Sequence, residues 1–266
     1  MNRAGRRRAR VRIAGREREF DLGRGFSIAI PVGPDGRHPR FFTSEPVTAE
    51  PLGVGGFSGQ VRTGASCNAG WVRLAPHCHG THTEGPGHLA RSPGPVRDIA
   101  PTGLLAARLV TVDPVAPDES RETPPPGAAA GLIEAGGFND LDGLEALVVR
   151  TLPNPESKRV RDYIAEPGYP VPTIEAVERL VAAGIDHLLV DTPSLDPADD
   201  GGTLANHRAF WQMDERESAA ARRGCTITEM IYVPDAVADG VYLLALGLFP
   251  IDGEACPSAP VLFAER

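Results

Sequence analysis

The sequence predicts a mixed α/β chain built mostly from short strands, with few helices. Three observations carry this reading. Thirty glycines and twenty-six prolines in 266 residues break the chain into short elements. Eight segments, 10–14, 59–63, 70–76, 108–113, 146–151, 187–191, 226–232 and 240–248, are candidate strands, several of them Val, Ile and Leu clusters closed by Gly, Pro or Asp. One segment, TIEAVERLVAAG, has the period of an amphipathic helix and leads directly into an apolar strand.

Taken in order, the chain opens with Arg3, Arg6, Arg7, Arg8, Arg10 and Arg12. This crowd of like charge reads as a solvated, partly disordered end, and it lacks the apolar core of a secretory signal. Residues 1–24 are therefore expected to form a basic arm with the first strand, and residues 25–266 a single domain. The stretch 113–131, stiffened by Pro124, Pro125 and Pro126, reads as a long surface excursion within that domain. In the helix that follows, Ile174, Val177, Leu180 and Val181 share a face, Thr173 can cap the start and Gly184 can end it. Further helices are expected over 204–211 and 214–222. The longest apolar run, VYLLALGLF at 241–249, is far short of the ~18 residues that span a bilayer and suits a buried strand.

Composition narrows the class of function. A formal charge of −8 argues against nucleic acid as a partner, since phosphate binding needs positive surface. Cys67, Cys78, Cys225 and Cys256 are widely spaced without CxxC pairing, which suits reduced thiols in a cytoplasm.

The chemistry concentrates in one run, His77-Cys78-His79-Gly80-Thr81-His82-Thr83-Glu84-Gly85-Pro86-Gly87-His88. Histidine, cysteine and glutamate are donors for a zinc-like ion. The glycines and proline argue against a helix here. In an extended chain alternate residues share a face, so Cys78, His82, Glu84 and His88 point one way and His77 and His79 the other. On that parity His77 and His79 are bystanders.

The run resembles the signature His-x-Gly-Thr-His-x-Asp-x-Pro-x-His of the metal-dependent cyclase family, which includes bacterial kynurenine formamidases and isatin hydrolases. Gly80, Thr81, His82, Pro86 and His88 match, with Cys78 in place of the first histidine and Glu84 in place of the aspartate. The segment VDTPSLDPADDGGTLANHRAFW (190–211) is similar to a second family motif leading to a metal-binding histidine, here His207. TITEM (226–230) resembles a late strand with a metal-binding glutamate, here Glu229, and VVRT (148–151) matches another family strand. The likeness spans roughly 25–266. It implies a single α/β domain with a β-rich, swivelling β/β/α-like core and a few flanking helices, assembled as a homodimer or tetramer. It also implies one or two divalent metals: Cys78, His82 and Glu84 for the first, and Glu84, His207 and Glu229 for the second, with His88 as general acid/base. A thiolate ligand would favour zinc over manganese.

These features point to a hydrolase that attacks an amide-like carbonyl, a formamide, cyclic amide or imide, with metal-activated water. Lactone or ester hydrolysis, or ring closure, is the neighbouring reading, and a non-catalytic metal-binding homologue the reading outside enzymes. A purely structural ion would leave His88 without a task. Asp191, Thr192 and Ser194 are candidates to orient ligands, or alternatively form a hydrogen-bonded turn. Trp71, Trp211 and Phe57 read as core residues before pocket walls. No Gly-x-Ser-x-Gly elbow occurs, and GVGGFSG (53–59) lacks the lysine of a phosphate loop.

Overall fold

Apolar runs that two faces can bury fix the centre of the molecule. The structure is a computed structural model and describes residues 7–213 and 220–266. Its principal sheet holds ten strands, numbered in chain order: β1 (Arg8–Ile13), β2 (Arg16–Ser27), β3 (His82–Glu84), β4 (Leu104–Val112), β5 (Ala146–Thr151), β6 (His187–Val190), β7 (Thr226–Glu229), β8 (Gly240–Ala245), β9 (Ala255–Pro257) and β10 (Val261–Glu265). Their order across the sheet is β1-β2-β10-β8-β4-β5-β6-β7-β3-β9. Strands β4 to β7 are parallel. The flanking strands pair antiparallel on both sides.

Every residue of β5 is buried, as expected of a parallel strand covered on both faces. Leu147 and Val149 join one core with Leu188, Val190, Val110 and Val112. Ala146 and Val148 join the other with Leu105, Ala107, Leu109, Leu189 and Leu244. Three helices accompany the sheet among the described residues: α1 (Pro76–His79), α2 (Ile174–Ala182) and α3 (Ala205–Trp211). Ala176, Val177 and Leu180 of α2, with Phe210 and Trp211 of α3, cover the first core. The result is the β-rich α/β core the sequence predicts.

α2 begins where its cap residue says it should. Thr173 Oγ1 accepts from the Ala176 amide at 3.1 Å and donates to a Glu122 carboxylate oxygen at 2.6 Å. The chain leaves the helix through Gly184 at φ 75°.

Other boundaries differ for local reasons. The arm expected over 1–24 has no seam at its end: β2 runs through residue 24, and Phe20 and Ile13 are buried in the first core. The sequence hides this strand because half of REREFDLGRGFS is charged and much of it is exposed. The strand expected over 59–63 is instead a 3-10 turn at Val61–Thr63, with the Val61 amide held by Asn68 Oδ1 and Gly64 closing it at φ 97°. The strand expected to 76 ends at Arg73, because Pro76 opens α1. The strand expected to 232 stops at Glu229, where Met230 turns to φ 55°. Of the helix expected over 214–222, residues 214–219 lie outside the described residues and 220–222 are not helical.

Two crossovers, β5-α2-β6 and β6-α3-β7, set the carboxyl ends of β6 and β7 side by side, and β7 pairs with β3, Glu229 opposite His82 across the ladder. Ligands of open α/β sheets bind at such strand ends. Replacing Thr173 by alanine should lower stability by about 1–2 kcal/mol in urea unfolding. An unchanged midpoint would contradict the capping role.

Candidate metal centre

The run 77–88 is not extended throughout, and that decides which side chains meet. Pro76 starts the helical turn of α1, and Gly80 ends it at φ 156°. A Cβ on Gly80 would lie 2.4 Å from a Val32 methyl, so glycine is needed there on both counts. In a helical turn, adjacent residues diverge by about 100° rather than alternating. His77 therefore turns toward the site and Cys78 away from it. The Cys78 carbonyl accepts from the Phe41 amide at 3.0 Å, and burial pushes its thiol up, away from thiolate, against a weaker backbone hydrogen bond from Thr43. Among the described residues, Cys78 joins no group of donors within 4.8 Å of one another. His77, which the parity argument sets aside, thus stands among the grouped donors where the sequence expects Cys78. The first donor lies five residues before His82, not four.

His79 is the bystander the sequence suggests. Its Nδ1 accepts from the Ala75 amide at 2.9 Å and its Nε2 donates to the Glu45 carbonyl at 2.8 Å. Both nitrogens are spent on fastening the turn that carries His77.

From Gly80 the chain does extend, and parity holds in β3. His82 and Glu84 face the site, while Thr83 faces away to bond Thr228 and Ser258. His82 Nδ1 donates to the Gly80 carbonyl at 3.0 Å, leaving Nε2 3.4 Å from a Glu229 oxygen without hydrogen-bond geometry. Glu84 is completely buried. Its Oε1 accepts from His207 Nε2 at 2.8 Å. Its Oε2 has no hydrogen-bond partner and stands 3.3 Å from His77 Nδ1 and 3.7 Å from His88 Nδ1.

The other half of the site comes from α3 and β7. Asp196 Oδ1 accepts the Asn206 amide, and Oδ2 accepts both the His207 amide and His207 Nδ1, the last at 2.6 Å. One carboxylate thus satisfies the start of α3 and fixes its histidine with Nε2 toward Glu84. Glu229 accepts from the Leu195 amide at 2.9 Å and lies 3.5 Å from His207 Nε2. Burial opposes charge on His207, but Glu84, Asp196 and Glu229 outweigh it and raise its pKa well above the usual value. Burial likewise opposes charge on Glu229, yet the nearby His207 and His82 rings hold its pKa far below the carboxylate range. For His77, burial is again outweighed, here by Glu254 and Glu84, and the pKa is raised.

Sequence reasoning assembled His82, Glu84, His88, His207 and Glu229, and the structure brings these five together. It missed His77, Asp196 and Glu254. Asp196 stands inside the quoted 190–211 segment, a signal that could have found it. Asp191 accepts from Thr151 and Lys158, Thr192 Oγ1 donates to the Ser194 carbonyl, and Ser194 Oγ accepts the Asp196 amide. Trp211 is fully buried, packed 5.4 Å from the His207 ring, and Trp71 is exposed. The apolar wall instead comes from Phe41 and Phe42, whose ring centroids lie 3.8 Å apart. With Pro193, Ala198 and Leu204 they face the histidines and glutamates across a cavity of about 490 Å³.

A buried carboxylate oxygen and a buried imidazole nitrogen without partners are costly, unless something outside the protein completes them. Three donor groups, each within 4.8 Å, surround that spot: His77, His82 and Glu84; Glu84, His88 and His207; and His77, His88 and Glu254. The donors fit a divalent cation. Without Cys78 the set is nitrogen and oxygen only, so the softness argument for zinc over manganese lapses.

Comparison with known proteins follows the same lines. The model of the Cyclase family, described as "Putative cyclase", matches residues 20–197. That range ends before His207 and Glu229, so their place in the site rests on geometry. A kynurenine formamidase of Bacillus cytotoxicus is 28% identical over 199 residues, 74% of this chain and 80% of that protein. One of Bacillus cereus is 30% identical over the same shares. Among solved structures, isatin hydrolase A from Labrenzia aggregata superposes with a TM-score of 0.61 at 17% identity, covering 91% of this chain and 94% of that one. The Ralstonia solanacearum enzyme gives 0.55 at 18%, covering 91% and 92%. Both likenesses establish the fold.

Alanine at His77 should strip most of the divalent metal from the purified protein, while Cys78→Ser should leave metal per chain unchanged. Elemental analysis decides it, and loss of metal in Cys78→Ser would restore the sulfur as a ligand.

Proposed function

We propose, for a chain that belongs to the Cyclase family, that it is a metal-dependent hydrolase cleaving a carbon–nitrogen bond at an amide-like carbonyl: a formamide, cyclic amide or imide. One observation carries the reading. The buried Glu84 carboxylate directs one oxygen at His207 and leaves the other partnerless among His77 and His88, beside the partnerless His82 nitrogen. His77, His82 and Glu84 would hold one zinc or manganese ion, and Glu84, His207 and Glu229 a second, with Glu84 shared. Such an ion, when bound, would polarise a carbonyl oxygen and acidify water.

The chain's own residues supply the rest. His88 stands at the cavity edge with its ring 28% exposed, open to substrate and solvent. Burial lowers its pKa below the usual 6.5 despite the opposing pull of Glu84. Its ring is therefore neutral near pH 7 and free to take a proton from the attacking water. Protonated, it hands that proton to the departing nitrogen, so the amine leaves neutral. Asp196 holds the His207 ring in one orientation through Nδ1, and Lys158, by neutralising Asp191, fixes the loop that presents Ser194 and Leu195. Phe41 and Phe42 take the flat apolar part of a small substrate and keep water from the reacting bond. Kynurenine formamidases among the relatives and isatin hydrolases among the fold neighbours support a compact acyl-nitrogen substrate.

The test is turnover against a formanilide, an isatin-like lactam, a cyclic imide and a lactone, with His88→Ala beside wild type. The variant should keep its metal and lose at least ~100-fold in kcat. Undiminished turnover would remove the proton-transfer role. Because the neutral ring is the active form, activity should fall only as pH drops below 6.5. An acid limb of kcat/KM centred above 6.5 would contradict the assignment.

A further inference from the structure

Glu254 is a half-buried carboxylate that the proposed reaction leaves without a task, and it is bonded to a proposed ligand. Its Oε1 and Oε2 lie 3.2 and 3.1 Å from His77 Nε2. The opposite nitrogen of the same ring, Nδ1, faces the partnerless Glu84 oxygen at 3.3 Å. Resting on the reading of the site as a metal centre, we propose that Glu254 is a positioning residue that fixes His77 as the Nε2–H tautomer and so presents its Nδ1 lone pair to the metal.

The physics is that of the acceptor. An ionised carboxylate can only accept, so the nitrogen facing it must carry the hydrogen. A neutral imidazole has one such nitrogen, and the other is left as a donor of electrons to a cation. His207 is held in the same way with the roles of its nitrogens exchanged: Asp196 binds Nδ1 and Nε2 faces Glu84. Both histidines thus carry a carboxylate behind them, one from the loop before α3 and one from the loop before β9.

The position of Glu254 does not depend on its own side chain. Its carbonyl accepts the Gly85 amide at 3.1 Å, the Gly253 carbonyl accepts the Val96 amide at 2.8 Å, and Ala255 pairs with Glu84 between β9 and β3. Gly87 makes the approach feasible. A Cβ there would stand 3.1 Å from the Glu254 Cβ and 2.7 Å from the Gly94 carbonyl oxygen. The backbone holds the loop against the metal-bearing segment, and the carboxylate, 3.9 Å from His88 Nδ1, is then free to bond His77. Removing it should leave the fold in place.

The experiment compares wild type, Glu254→Gln and Glu254→Ala for zinc affinity, by competition with a chelator on the full chain. The zinc-loaded protein, labelled with nitrogen-15, then reports the His77 ring nitrogens by NMR. The expected order of affinity is wild type, then Gln, which keeps an oxygen acceptor, then Ala, weaker than wild type by about 10–100-fold. Wild type should show a protonated Nε2 in slow exchange on His77, and the alanine variant should lose it. Apo-protein unfolding midpoints should coincide. Equal zinc affinity with an unchanged His77 signal in Glu254→Ala would overturn the proposal while leaving the metal centre standing. A wild type that binds no zinc would overturn both.

Discussion

One buried carboxylate sets the terms for everything around it. Glu84 is fully removed from solvent, and the protein gives it one hydrogen bond where an ionised carboxylate can take several. A buried charge in that condition costs several kcal/mol unless compensated. Among the described residues, no arginine or lysine pairs with it. The fold surrounds the carboxylate with His77, His82, His88 and His207, and adds Glu229 beside them. Such a ring, rich in imidazole nitrogen and poor in fixed cation, suits a metal better than an ion pair.

The sheet exists in the form that this cluster requires. β3 is only three residues long, yet it is wedged between β7 and β9, and both neighbours contribute to the site. From β7 comes Glu229, at the strand's last residue, and from the start of β9 comes the loop with Glu254. The crossover after β6 contributes Asp196 and, through α3, His207. Asp196 does two jobs with one side chain, since its oxygens meet both the exposed amides of a helix start and the ring of the histidine that follows. The start of α3 lacks a side-chain cap from Leu204, and Asp196 supplies the missing acceptor.

Much of this was legible in the residues. β5 and α2 were read almost to the residue, because a buried parallel strand and an amphipathic helix with a threonine cap each leave a strong periodic mark. His82 and Glu84 share a face, as the sequence suggests, because an extended chain alternates. His77 rather than Cys78 faces Glu84 because Pro76 begins a single helical turn there, and a turn that short has no period to detect. Glu254 carries no sequence signal at all. It stands 170 residues from Glu84, and only the pairing of β9 with β3 makes them neighbours. β2 escaped notice for a different reason: half of its residues are charged, and its burial comes from Phe20 alone at 0% exposure. Long-range pairing and single turns are the parts of a fold that local pattern does not encode.

The account rests on a cation at Glu84, and diffraction can see one directly. Crystals of the purified protein, measured at the zinc and manganese absorption edges, should show an anomalous peak about 2.0–2.2 Å from a Glu84 carboxylate oxygen. A folded, well-ordered site with no anomalous density, its Glu84 oxygen bonded to water alone, would contradict it.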